Sequence, residues 1–126
     1  MRKAIVILVA VFGLIVIGMS SSWALYGLCG GRVYDSGGTP VAGAGVRGVK
    51  QDDHSFILYD TSNVNGYYTL SDYNPPPTGW YDYCAYKSGK GMASTSIYHT
   101  WGTSDTWNPY LDGTGGPCPD IPQDRP

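Results

Sequence analysis

The side chains that could do chemistry in this chain are few, and their spacing suits binding better than a reaction. The two histidines, His54 and His99, stand 45 positions apart, so no closely spaced His pair exists to share a metal. Serines and aspartates are plentiful, but no nucleophile elbow presents a serine to a base, and abundance alone does not build a triad. Asp52, Asp53, Asp60, Asn63, Asn65 and Asp72 cluster as oxygen donors. Thr61–Gly66 echoes a calcium loop, yet Thr61 stands where an aspartate is required and the later bidentate glutamate is absent. These polar residues are therefore expected to hold a turn through backbone hydrogen bonds. No cofactor or metal is expected.

The cysteines and the aromatic residues are what remain. Cys29, Cys84 and Cys118 permit one internal bridge and leave one thiol over. A Cys29–Cys84 pair would tie the N-terminus to the sheet, a Cys84–Cys118 pair would pin the C-terminal segment, and sequence does not choose between them. The odd thiol is a candidate link between subunits, or else a free thiol in the tail. Trp80, Tyr81, Tyr83, Tyr86, Tyr98, Trp101, Trp107 and Tyr110 crowd the second half. Strand alternation turns about half of such rings outward, where they serve interfaces or stack on sugar rings. Trp80, Tyr86, Trp101 and Trp107 are the candidates for that role.

The elements that must position these residues are strands. The composition is rich in Gly, Tyr, Thr and Ser, and all ten acidic residues are Asp. That balance disfavours helix and favours strands and turns. The expected strands run over about Gly30–Asp35, Gly45–Gln51, Ser55–Asp60, Tyr67–Leu70, Trp80–Tyr86, Met92–Tyr98 and Asp105–Leu111, the last at an edge because it contains Pro109. Asn65-Gly66 signals a hairpin turn, and Asn74–Gly79 breaks the chain between strands. On the fifth strand Tyr81, Tyr83 and Ala85 share one face and Asp82 and Cys84 the other; the aspartate marks that second face as outer. Tyr68 and Leu70 should point inward. His54 and His99 should lie exposed, in a loop and at a strand end.

Residues 1–24 read as a cleaved export signal. Arg2 and Lys3 precede the apolar run Ala4–Met19, and small residues at Ser22 and Ala24 suit a peptidase. That run has 16 residues, short of the roughly 20 that span a bilayer. Acylation at Cys29 is disfavoured, because Tyr26-Gly27-Leu28 is no lipobox. The remaining chain divides into one domain over 25–112 and an extended Pro/Gly-rich tail over 113–126, which has too little apolar surface to offset its ordering. Without the signal, six cations face ten carboxylates, a net charge of about −4 that offers nothing to nucleic acid. No membrane contact is expected after cleavage.

Three motifs carry a family resemblance. The first is Gly31-x-Val33-x-Asp35-x-x-Gly38-x-Pro40-Val41-x-Gly43-Ala44-x-Val46, read as strand, tight turn, strand. The second is Ser62-Asn63-x-x-Gly66-x-Tyr68, and the third Gly79-x-Tyr81. Together they resemble carboxypeptidase regulatory-like domains, over about residues 30–111. The resemblance implies an all-β, seven-stranded antiparallel sandwich of the prealbumin-like (transthyretin-like) type and, for a chain without an enzyme neighbour, a non-catalytic module. Intradiol dioxygenases share the opening motif, but their iron takes two Tyr and two closely spaced His. Transthyretin-related hydrolases carry a Tyr-Arg-Gly-Ser terminus, and Gln123–Pro126 stands here instead. The Lys–Asn isopeptide bond of related surface repeats needs a lysine where the first strand has Arg32 and Tyr34. The expected function is a secreted structural subunit of a filament or surface layer, a homo-oligomer or polymer joined by edge strands and aromatic contacts, with Leu25–Cys29 as the better strand donor. The alternative is a carbohydrate-binding module with Trp80, Trp101 and Trp107 as platforms. No Asn-x-Ser/Thr sequon occurs.

Overall fold

The computed structural model describes residues 25–52 and 54–119. Residues 1–24, where an export signal is expected, Asp53 and the chain beyond Pro119 lie outside the described residues. Seven strands form two sheets. β1 (Tyr26–Arg32), β4 (Tyr67–Asp72) and β7 (Asp105–Thr106) make one, in the order β4-β1-β7. β2 (Gly45–Lys50), β3 (Ile57–Thr61), β5 (Gly79–Lys87) and β6 (Gly91–His99) make the other, in the order β3-β2-β5-β6. All pairings are antiparallel except β1 with β7, which run parallel. No helix is described between the strands, so the expected all-β sandwich stands, with this one parallel pair added.

Two expected hairpins are crossovers between the sheets. β1 and β2 do not pair. The turn between them is held by Asp35, whose carboxylate accepts the amides of Gly37 and Thr39 at 2.9 Å, and by Gly38 at a φ of 86°. The chain then passes from one layer to the other, touching itself through a Tyr34–Pro40 bridge. Asn65-Gly66 likewise joins β3 to β4 in different sheets. Asn63 caps that turn by accepting the amides of Asn65 and Tyr67, and Asp60 accepts the amide of Thr69 at 2.8 Å. Backbone amides thus occupy these donors, as expected over a calcium loop. Gly66 takes a φ of 88° where a Cβ would sit 3.0 Å from the Val33 carbonyl, so only glycine fits.

β1 begins at Tyr26, ahead of the expected start at Gly30. Leu25–Cys29, the expected strand donor, leads into and fills the central strand of its own sheet, leaving nothing there to donate. The last strand is shorter than expected. After Thr106 the chain keeps to the sheet without forming a strand, through the amides of Trp107 on the Gly30 carbonyl, Tyr34 on Pro109 and Leu111 on Tyr34, and a bridge from Tyr110 to Tyr34.

Between the layers lies a core unusually rich in tyrosine: Leu28, Cys29, Val33, Val46, Leu70 and Leu111 with Tyr68, Tyr81 and Tyr83. Inward Tyr68, Leu70, Tyr81, Tyr83 and Ala85 follow the expected alternation. Each large ring contributes on the order of 2–3 kcal/mol when withdrawn from water, provided its hydroxyl keeps a partner. Tyr68 donates to the Trp107 carbonyl at 2.6 Å and Tyr81 to the Pro77 carbonyl at 2.8 Å. Gly48, on β2 directly opposite Tyr83, makes room for the Tyr83 ring; a Cβ there would stand 2.7 Å from that ring and 3.2 Å from Leu70. Gly48→Val should lower unfolding stability by about 1–3 kcal/mol through overpacking, read from the urea midpoint at unchanged slope.

Candidate ligand-binding face

The outer face of the four-stranded sheet gathers the polar and aromatic side chains that β2, β5 and β6 turn away from the core. Register places them in rows. Arg47 stands opposite Cys84 and Cys84 opposite Ser94; Val49 stands opposite Asp82 and Asp82 opposite Ser96; Trp80 stands opposite Tyr98. In the middle, Asp82 accepts from Ser96 at 2.6 Å and from Gln51 at 2.8 Å through one carboxylate oxygen. One step along the same strands, Trp80 and Tyr98 meet edge-to-face with centroids 5.5 Å apart, each half exposed. Trp101 comes next, in the turn after β6, 60% exposed, its backbone amide bound to Thr78 just ahead of β5. Three open rings therefore crowd one end of the β5–β6 hairpin.

A strap closes the other end. Cys84 bridges to Cys118, so the tail expected to extend freely is covalently tied to the sheet as far as Pro119. The parity reading of Cys84 as outward-facing is right, and the strap explains why an outward residue is only 6% exposed. At its start, Asp112 accepts the amides of Met92, Thr114 and Gly115. Those three bonds hold its carboxyl below the usual carboxylate range. Gly116 lies against the Tyr86 ring, where a side chain would collide. At the far end the Pro119 carbonyl accepts from the Arg47 guanidinium. Strap and sheet enclose a pocket of about 370 Å³ lined by Arg47, Val49, His54, Asp82, Met92, Ser94, Ser96 and Pro119.

The expected site residues divide accordingly. Trp80 and Trp101 are exposed at one end of this face, whereas Tyr86 is covered by the strap. Trp107 is not a surface platform: it packs on the core, its ring 6.0 Å from Tyr83. Beyond β7 strand parity no longer governs, and the carbonyl of Trp107 is needed by Tyr68. The spare thiol is Cys29, fully buried and 3.7 Å from the Tyr68 hydroxyl, not in the tail. Burial pushes it up to about 11, so it stays protonated at neutral pH and cannot link subunits in the folded state. His99 is likewise interior, not exposed. Its Nδ1 lies 2.9 Å from the Asp105 carboxylate, fastening the end of β6 to β7. The Nε2 of His99 and the Tyr83 hydroxyl are buried with no hydrogen-bond partner among the described residues. Sequence reasoning missed Arg47, Gln51, Ser94 and Ser96. The signal available was their parity with Asp82 and Cys84 once the pairing of β2, β5 and β6 is known. Among the described residues no group of three His, Cys or Asp is placed to hold a metal ion.

A second aromatic group lies on the other sheet. Arg32 sits over Tyr67 at 4.6 Å and Tyr34 at 5.8 Å, and Tyr34 stacks on Tyr110 at 4.7 Å. These groups satisfy one another.

No family model and no curated protein sequence matches the chain. Among solved structures it is similar to 5-hydroxyisourate hydrolase of Klebsiella pneumoniae, with a TM-score of 0.52, at 18% identity, over 71% of this chain and 92% of that one. That likeness shows the fold, a transthyretin-like β-sandwich. The narrower carboxypeptidase regulatory-like subtype rests on the three motifs alone.

The depressed Asp112 carboxyl gives the strap an acid limit. Asp112 supports it fully above the ordinary carboxylate pKa of about 3.9, and the support is lost as pH falls through its lower folded value. The amide protons of Thr114 and Gly115 should therefore titrate together by NMR with a midpoint below that value.

Proposed function

We propose that this domain binds carbohydrate on the outer face of its four-stranded sheet, without catalysing a reaction, outside the cytoplasm. The observation that carries the reading is the continuity of two features on one face. Trp80 and Tyr98 stand exposed, one strand step from the Asp82–Ser96–Gln51 hydrogen-bond group and its pocket. Flat rings beside convergent polar groups suit a sugar, whose C–H face stacks while its hydroxyls exchange hydrogen bonds. The Cys84–Cys118 bridge is compatible with an oxidising compartment, and among the described residues no helix is long and apolar enough to cross a membrane. The histidines support a non-catalytic role: His99 is fully buried, and His54 sits at the pocket with no acid–base partner in hydrogen-bond contact among the described residues. In a tryptophan-fluorescence titration against a panel of soluble oligosaccharides, at least one should bind. Trp80→Ala should weaken it at least tenfold, about 1.4 kcal/mol. No binding across the panel rejects the proposal.

Self-assembly is a second reading, favoured by β6. Residues 91–98 form an edge strand with no charge and no proline, the devices that normally guard an edge. Among the described residues only its start is covered, where the Asp112 amide donates to the Met92 carbonyl. Neither Leu25–Cys29 nor the strap remains free to donate, so the mode would be edge-to-edge pairing of two β6 strands. Light scattering should then find a dimer or polymer, dispersed to monomer by Ser94→Lys; a monomer at high concentration rejects it.

A further inference from the structure

The pocket contains two charges of opposite sign that do not neutralise each other. Arg47 is half-buried at the centre of the sheet face. Its one hydrogen bond among the described residues goes to a neutral acceptor, the Pro119 carbonyl, and no carboxylate among those residues lies within ion-pair distance of it. A guanidinium partly withdrawn from water, with no counter-charge among the described residues, favours an anion brought by a ligand, and its planar fork suits a carboxylate. Asp82, one register step away on β5, is saturated at one oxygen by Ser96 and Gln51. Its other oxygen has no partner among the described residues and accepts only from a donor. The site thus asks for a carboxylate at one pole and hydroxyl groups at the other, with ring stacking beyond at Trp80 and Tyr98.

We propose that the ligand is an acidic saccharide of the uronic acid class, its carboxylate held by Arg47 and its ring hydroxyls donating to Asp82. This rests on the carbohydrate-binding reading and narrows it. A neutral glycan satisfies Asp82 and the rings but brings Arg47 no counter-ion. A free amino acid would answer both charges but would not extend to the aromatic end. The strap matters to this choice, because Pro119 fixes the guanidinium from above and walls the pocket on the side away from Trp80.

The test compares oligogalacturonate with its methyl ester, which keeps the rings and removes the charge. Isothermal titration at pH 7 in low salt should show the acid binding at least tenfold more tightly than the ester. The ratio should fall towards one in Arg47→Gln and in high salt, because the discrimination is electrostatic. Trp80→Ala should weaken acid and ester alike. Equal affinity of acid and ester in the unaltered protein overturns the proposal, whatever the variant does. So does a preference for the acid that survives Arg47→Gln in a protein whose circular dichroism is unchanged, or binding of glycine in place of either saccharide. Binding of neutral saccharides with no preference for acid would leave the broader carbohydrate reading standing while this one fails; no binding of any saccharide would remove both.

Discussion

Alternation along β5 is the constraint on which the rest of the molecule depends. A strand must send successive side chains to opposite faces. On β5 that rule sends Tyr81, Tyr83 and Ala85 into the sandwich and Trp80, Asp82 and Cys84 out of it. One nine-residue segment therefore fills the core, supplies the exposed ring and the carboxylate of the candidate site, and anchors the disulfide. A slip of one residue would bury an aspartate and expose two tyrosines. The flanking strands accept this register because Gly48 yields space on one side and the small residues Ala93 and Thr95 face inward on the other.

A tyrosine-rich core has its own geometry. Phenol rings fill space well but bring hydroxyls that need acceptors, and two of the three ring tips, unlike that of Tyr83, reach the ends of the layers, where carbonyls of irregular chain are available. Tyr68 and Tyr81 find such carbonyls at Trp107 and Pro77. That is why the chain after β7 and the proline-rich loop before β5 are folded against the sandwich. Trp107 is drawn inward with its carbonyl, which is the physical reason it is lost as a surface platform.

Much of this is legible in the residue pattern, and the failures have definite causes. The inward and outward sets of β5, the buried Tyr68 and Leu70, and the Asn63 cap of its turn come from local periodicity and turn chemistry. The partners of the strands do not. Gly38 and Gly66 bend the chain as they would in a hairpin, but whether two strands joined by a turn lie in one sheet or face each other across a core depends on distant segments. The Pro/Gly composition of residues 113–119 reads as loose chain because a covalent link and a carboxylate collecting three amides leave little trace in composition. A lone Arg47 in a strand looks like a solvated charge until the strap is seen above it. His99 looks like a strand-end surface residue, because nothing nearby in sequence announces the contact with Asp105.

The sheet order also constrains how the polypeptide reaches its native state. β1 is a central strand, yet its neighbours β4 and β7 are synthesised long after it, and Arg32 is hydrogen-bonded to Asn108 across 76 positions. Contacts of such span are slow to form, because the intervening chain must first be brought together. The first strand of the sandwich to be made would thus wait, unpaired and apolar at Leu28 and Cys29, until almost the entire domain had followed it. A domain wired this way closes in a late step, once its C-terminal segments have joined the rest.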